Sequence, residues 1–250
     1  MSISYNHPLE AEYVAKPWGR RDGIKAAEEY QPLGEVIYNA PHTDLIVKWL
    51  QTNASLSVQV HPQEVDRKHE WWYITNARPG SYLHLGLKED TTADQVRESA
   101  LDGSLPDLLN KIEPKAGDSF YVEAGTIHAL GPGLDVVEVQ EPSTVTWRLF
   151  DYGRPRELHL DESLRESILT KQEVKALPEG EAPFRVKHVT LSAGESATLP
   201  KGGCCVAIIR GDGTCGEKEY NAHQCWEVSD ALTLSASSDT ECIIATPCKA

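Results

Sequence analysis

The 250-residue chain is short of positive charge: 24 Lys and Arg stand against 38 Asp and Glu, a formal net charge of −14. A body that acidic repels phosphate backbones and anionic membrane surfaces at long range, which argues against nucleic acid and lipid as partners. Long apolar runs are missing too. None reaches the roughly 18–20 residues that a bilayer-crossing helix needs, and Met1–Lys16 has no basic stretch followed by an apolar one, so no secretory signal is expected. Cysteine is absent until Cys204. The six that follow, Cys204, Cys205, Cys215, Cys225, Cys242 and Cys248, lack the tight Cys-x2-Cys pairs of a zinc knuckle. Reduced thiols in a cytoplasmic protein are expected, several of them packed on strands as small hydrophobes. No internal repeat of solenoid period is visible, and Gly131-Pro132-Gly133 lacks the Lys-Ser/Thr ending of a phosphate loop.

What the chain has in quantity is short runs of β-branched and aromatic residues punctuated by Gly, Pro, Asn and Asp. Strands are expected at Glu35–Tyr38, Leu45–Leu50, Leu56–Val60, Glu70–Asn76, Ser81–Leu87, Ser119–Val122, Asp135–Val139 and Thr144–Phe150. Thr91–Leu101, opening on a capping pattern, and Asp161–Leu169, with Leu164 and Ile168 at helical spacing, are expected helices. After the Pro-, Glu- and Gly-rich stretch Leu177–Pro183 the pattern returns to strands at Phe184–Leu191, Cys204–Arg210, Gln224–Val228, Leu232–Ala236 and Cys242–Thr246. The fold expected is mainly β, a sandwich or jelly roll with a few short helices. Cys204 and Cys205, adjacent on a strand, are expected on opposite faces, one of them exposed and oxidisable.

Four segments carry side chains that could do chemistry. In Ser57-Val58-Gln59-Val60-His61-Pro62, strand alternation points Gln59 and His61 the same way, and Pro62 ends the strand. That is half a metal site or a histidine capping a strand end. In Lys68-His69-Glu70-Trp71-Trp72-Tyr73-Ile74, Glu70 stands at the mouth of an apolar strand, where a carboxylate is costly unless paired or metal-bound. Lys68 shares its face if the strand already begins there. Gly125-Thr126-Ile127-His128 offers a third N/O ligand after a glycine turn, and three such ligands with an open position suit a divalent ion, zinc first. Arg148, inside an apolar strand, needs a partner: either an acid such as Asp151 or a developing anion.

These segments, with Lys16-Pro17-Trp18-Gly19, Leu45-Ile46-Val47-Lys48, Gly125-Thr126-Ile127-His128-Ala129 and Arg148-Leu149-Phe150-Asp151-Tyr152-Gly153-Arg154, run in the order found in type I mannose-6-phosphate isomerases. The chain resembles the short bacterial form of that family over nearly its whole length. The resemblance implies a cupin-type jelly roll over residues 1–176 and a smaller β unit over 177–250. It implies one zinc ion held by His61, Glu70 and His128, with Gln59 a further ligand in some members, Arg148 as the catalytic arginine, and Lys68 as a lysine two residues before the glutamate ligand. The reaction implied is aldose–ketose isomerisation of mannose 6-phosphate and fructose 6-phosphate through a cis-enediol. Isomerisation of another sugar, or sugar or metal binding without catalysis, are the alternatives.

Such a reaction needs a polarised oxygen, fixed positive charge for the enediolate, and a base. Lys68 could donate to the same oxygen, and the base is open between water held at the site and a carboxylate such as Glu138. For an anionic sugar phosphate the −14 body requires a local basic pocket, which Lys48, Lys68, Arg148, Arg154 and Arg156 could supply. Two positions depart from the family pattern: Thr144 stands where an Asp is often found, and Glu64 where longer relatives carry a lysine.

Overall fold

The computed structural model describes residues 5–178 and 182–248. In chain order the first strands are β1 (Asn6–Pro8), β2 (Glu12–Arg20), β3 (Leu33–Ala40), β4 (Leu45–Gln51), β5 (Val58–Val60) and β6 (Glu70–Ala77). Next come β7 (Leu83–Leu87), β8 (Leu109–Ile112), β9 (Ser119–Val122), β10 (His128–Leu130), β11 (Leu134–Gln140) and β12 (Trp147–Phe150). Helices α1 (Ala93–Asp102), α2 (Leu105–Leu108) and α3 (Leu160–Glu166) interrupt and follow them. The chain groups into two compact units: Val14–Glu35 with Leu50–Leu177, and Met1–Tyr13 with Val36–Trp49 and Pro178–Ala250. The division runs through β2, β3 and β4. Of the Pro-, Glu- and Gly-rich stretch expected near the domain boundary, residues 179–181 lie outside the described residues.

The larger unit holds a five-stranded sheet, β12-β5-β10-β7-β8, and a second layer in which β11, β6 and β9 are neighbours. The two layers bury one core between them. Trp72, Ile74, Phe120, Val122 and Val136 from one meet Leu83, Leu85 and Leu130 from the other. Each such side chain contributes roughly 1.5–3 kcal/mol on burial, and together they offset the several kcal/mol that each buried charge costs. The outer face of the five-stranded sheet buries Val58, Ala129 and Leu149 under Val96 and Ala100 of α1, Leu105 of α2 and Leu164 of α3. Helix α1 starts as its sequence indicates. Thr92 accepts from the Gln95 amide at 3.2 Å, Gln95 returns a bond to the Thr92 amide at 3.0 Å, and Gly103 ends the helix at φ 90°.

The smaller unit contains β13 (Phe184–Leu191), β14 (Ser196–Thr198), β15 (Cys204–Arg210), β16 (Gly213–Cys215), β17 (Lys218–Tyr220), β18 (Cys225–Val228), β19 (Thr233–Ala236) and β20 (Thr240–Pro247). They form the sheets β1-β18-β15-β20-β13 and β14-β19-β16-β17. Between them Val206, Ile208, Trp226, Val228 and Ile244 pack against Tyr220, Leu234 and Ala236.

The mainly-β expectation holds, with differences at the edges. The strand expected from Thr144 begins at Trp147, and β1, β2, β8, β10, β14, β16 and β17 join it as strands that composition did not flag. The helix expected over Asp161–Leu169 ends at Glu166 because Ser167 is extended (φ −76°, ψ 135°) and the Ile168 amide bonds the Gly125 carbonyl at 2.8 Å. The expected exposure of one of Cys204 and Cys205 is corrected: both are buried, because β15 lies in the middle of its sheet and both its faces are covered. Burial pushes the Cys204 thiol up to about 12, so it is inert rather than oxidisable.

Candidate metal centre

β5 carries Gln59 toward the interior and stops before His61-Pro62, since proline has no amide to continue the ladder. The cross-strand pairs Arg148 with Gln59 and Gln59 with His128 set these three side chains in one row across β12, β5 and β10. Directly opposed residues share a face, with Cβ atoms about 5 Å apart. From the facing layer β6 presents Glu70 and, two residues on, Trp72, with Gln140 and Glu138 opposite them on β11. Gly125 makes the remaining turn. Its φ of 86° is left-handed, and a Cβ there would lie 2.7 Å from Gln63 and 2.8 Å from the Glu166 carbonyl.

His61, Glu70 and His128 are each about 1% exposed, and each offers one ligand atom, all within 4.8 Å of one another. His61 Nε2 stands 3.0 Å from Glu70 Oε1, and His128 Nε2 stands 3.9 Å from Glu70 Oε2. Backbone carbonyls decide the tautomers. His61 Nδ1 is 3.0 Å from the Val145 oxygen and His128 Nδ1 is 2.8 Å from the Thr126 oxygen. A carbonyl only accepts, so both Nδ1 atoms carry the hydrogen and both Nε2 atoms present lone pairs. Burial, then the neighbouring Lys68 ammonium, lower His61 to about 3, and burial lowers His128. Both rings are therefore neutral near pH 7. Burial alone would raise Glu70, but the positive charge beside it, the Lys68 ammonium 3.3 Å away, outweighs it and holds the carboxyl well below its usual range.

Two imidazole lone pairs facing a carboxylate, with no proton available between them, form a cage of acceptors that a cation completes. The spacings bracket the roughly 3.3 Å between ligand atoms of a tetrahedral zinc site with bonds of about 2.0–2.1 Å. The residues present therefore fit a divalent ion. Gln59 is next to the set: its terminal amide nitrogen is 3.3 Å from His128 Nε2.

Lys68 lies just before β6, yet its buried Nζ comes within 3.3 Å of Glu70 Oε1. Glu138 is buried beside the same group, and Trp72 Nε1 is shared between Glu138 Oε2 at 3.0 Å and Glu70 Oε2 at 3.1 Å. Arg148 is not paired with Asp151. It donates to the Glu157 carbonyl at 2.7 Å, and its Nε is buried without a hydrogen-bond partner among the described residues. Asp151 is taken instead by Arg154 and Arg156, each at 2.6 Å. Burial first, and then Arg156, lower the Arg148 pKa, while Asp151 and Glu157 act against the shift; the three guanidiniums and two carboxylates carry a net charge of +1. Lys48 is half-buried on β4 and belongs to the smaller unit. Thr144 and Glu64 are exposed.

Trp72 is the functional neighbour that residue-by-residue reading passes over, although its i+2 spacing from Glu70 marks it as sharing that face. The Val145 and Thr126 carbonyls had no signal, since any residue supplies a carbonyl.

No family profile matches the chain. Among curated proteins, it is 28% identical to the mannose-6-phosphate isomerase of Streptococcus mutans over 94% of this chain and 87% of that protein. It is 32% identical to the mannose-6-phosphate isomerase ManA of Bacillus subtilis over 70% of this chain and 64% of that one. Among solved structures, the Bacillus subtilis mannose 6-phosphate isomerase superposes with a TM-score of 0.79 at 19% identity, covering 97% of this chain and 99% of the other. A zinc-bound mannose 6-phosphate isomerase superposes at 0.73 with 12% identity. At such identities the superpositions speak for a shared fold.

Proposed function

Because the chain belongs to the type I mannose-6-phosphate isomerase family, we propose that it interconverts mannose 6-phosphate and fructose 6-phosphate at a zinc centre held by His61, Glu70 and His128. The observation that carries this reading is the pair of Nε2 lone pairs aimed at Glu70. Bound there, a zinc ion would supply Lewis-acid polarisation of a sugar oxygen.

The remaining roles fall to the chain's own groups. Glu138 is the proposed base that moves the proton between C1 and C2 through a cis-enediol. Its carboxylate is held beside the ligand set by the Trp72 indole. Lys68, fixed against Glu70, donates toward the oxygen that gains charge. Arg148, in the same row as Gln59 and His128, sets a permanent cation where the enediolate forms. The excess charge of Arg148, Arg154 and Arg156 over Asp151 and Glu157 is a local basic surface for a phosphate on an otherwise acidic protein.

A coupled assay with fructose 6-phosphate, run before and after chelation and again after zinc is restored, tests the reading. Turnover that disappears with the metal and returns with it is expected. Absence of turnover in zinc-restored protein would overturn the substrate, and unphosphorylated mannose and fructose in parallel reveal whether another sugar takes its place. Arg148→Ala is expected to keep its metal and lose about 10²–10³-fold in kcat.

A further inference from the structure

The segment after α3, which the helical spacing of Ile168 had suggested would continue the helix, runs instead across the outside of the metal-binding loops. At its root Glu166, the last residue of α3, grips Gln63 twice. The carboxylate Oε2 accepts from the Gln63 amide at 2.9 Å, and the Glu166 carbonyl accepts from the Gln63 side chain at 2.8 Å. Gln63 is two residues beyond His61. Next, the Ile168 amide bonds the Gly125 carbonyl at 2.8 Å, while the Gly125 amide bonds the carbonyl of His61 itself at 3.0 Å.

Farther along, the Gln172 side chain donates to Thr126 Oγ1 at 3.0 Å, and Thr126 is the residue whose carbonyl orients His128. Gln172 is pinned in turn. Its amide bonds Leu87 at 3.0 Å, its carbonyl accepts from Asn110 at 2.9 Å, and a bridge at Lys175 ties the segment to Tyr121 on β9. Gly125 and Gly86 make room for this path, since a Cβ at either would strike Glu166, Gln63 or Gln172 within 2.8 Å.

From this arrangement we infer that residues 166–175 form a clamp that fixes the distance between the His61 and His128 loops, with Glu166 and Gln172 as positioning residues for the metal centre. Neither residue reaches a ligand atom. Glu166 holds the backbone two residues beyond His61, and Gln172 holds the side chain of Thr126, the residue whose carbonyl sets the His128 tautomer. Weakening either bond removes none of the three ligands but lets the two imidazoles drift apart, so the ion leaves faster. The inference rests on the metal-centre reading above.

The test measures zinc release into a colorimetric chelator from zinc-loaded full-length protein, alongside the melting temperature of the metal-free form. Glu166→Ala and Gln172→Ala are each expected to speed release about tenfold, within the range by which partners behind metal ligands act. Glu166→Gln, which keeps the oxygen that accepts from Gln63, should release at the wild-type rate, and all metal-free melting temperatures should stay close to wild type. Unchanged release in both alanine variants, with normal zinc uptake by wild type, overturns the clamp alone. So does faster release that follows a fall in metal-free melting temperature and is not rescued by Glu166→Gln. A wild-type protein that takes up no more zinc than His61→Ala removes the metal centre and the clamp together.

Discussion

Each of the two units buries a glutamate in a β interior, and the two are handled in opposite ways. Glu227, on β18 of the smaller unit, is fully buried. Its Oε1 accepts from the His42 amide at 2.9 Å, the Thr43 amide at 2.8 Å and the Thr43 hydroxyl at 2.9 Å. Those donors belong to a turn and cannot leave, so this carboxylate staples the turn through Oε1, while its Oε2 is buried without a hydrogen-bond partner among the described residues. Glu70, equally buried, receives an indole N–H and an ammonium, and its remaining directions face two imidazole lone pairs. Burial of a carboxylate is common to both. What separates structure from chemistry is whether the neighbours bring hydrogens or lone pairs.

The same substitution at the two positions sharpens this contrast most. Glu70→Gln is expected to lower zinc affinity by at least about 10³-fold and to remove turnover with it, because a neutral amide is a poor ligand. Metal analysis of the purified variant checks it, and stoichiometric zinc there would break the distinction. Glu227→Gln keeps an accepting oxygen and should leave zinc content and kcat unaltered.

Second in size, Glu227→Ala strands three donors and is expected to cost about 3–5 kcal/mol in urea unfolding, with normal zinc per folded molecule. A variant that loses zinc while keeping its stability would show that Glu227 serves the site after all.

The smallest effect is in pH. His61 and His128 have lowered values in the fold, His61 at about 3, against about 6.5 in an unfolded chain. The unfolded state therefore takes up protons first. The stability that the neutral His61 contributes is complete above about pH 6.5 and is lost as pH falls toward 3, by up to about 1.4 kcal/mol per unit, and His128 acts in the same direction. Melting of metal-free protein from pH 7 to pH 5 should show the decline, and His61→Ala/His128→Ala should flatten it. Equal slopes in the two proteins would mean that the decline comes from other groups.

How much of this was legible depends on range. Ser119–Val122, Phe184–Leu191 and Cys204–Arg210 were readable to the residue, because period-2 alternation and turn residues act locally. β10 was not readable, because His128–Leu130 is only three residues long and is a strand only by virtue of β5 and β7 on either side. The charge partner of Arg148 was equally out of reach. Asp151 is close in sequence, but Arg154 and Arg156 compete for it and prevail.

The sequence by itself determined the mainly-β architecture, the acidic balance, and the kinds of group available as ligands: imidazole, carboxylate, imidazole in that order. Those follow from residue chemistry and short-range pattern. Only the tertiary structure decided that the imidazoles turn lone pairs toward Glu70, that one indole joins Glu70 to Glu138, and that Cys204 and Cys205 are both shut away. Each of these depends on strand register and on carbonyls such as that of Val145, 84 residues from His61, and no local preference encodes a contact at that separation.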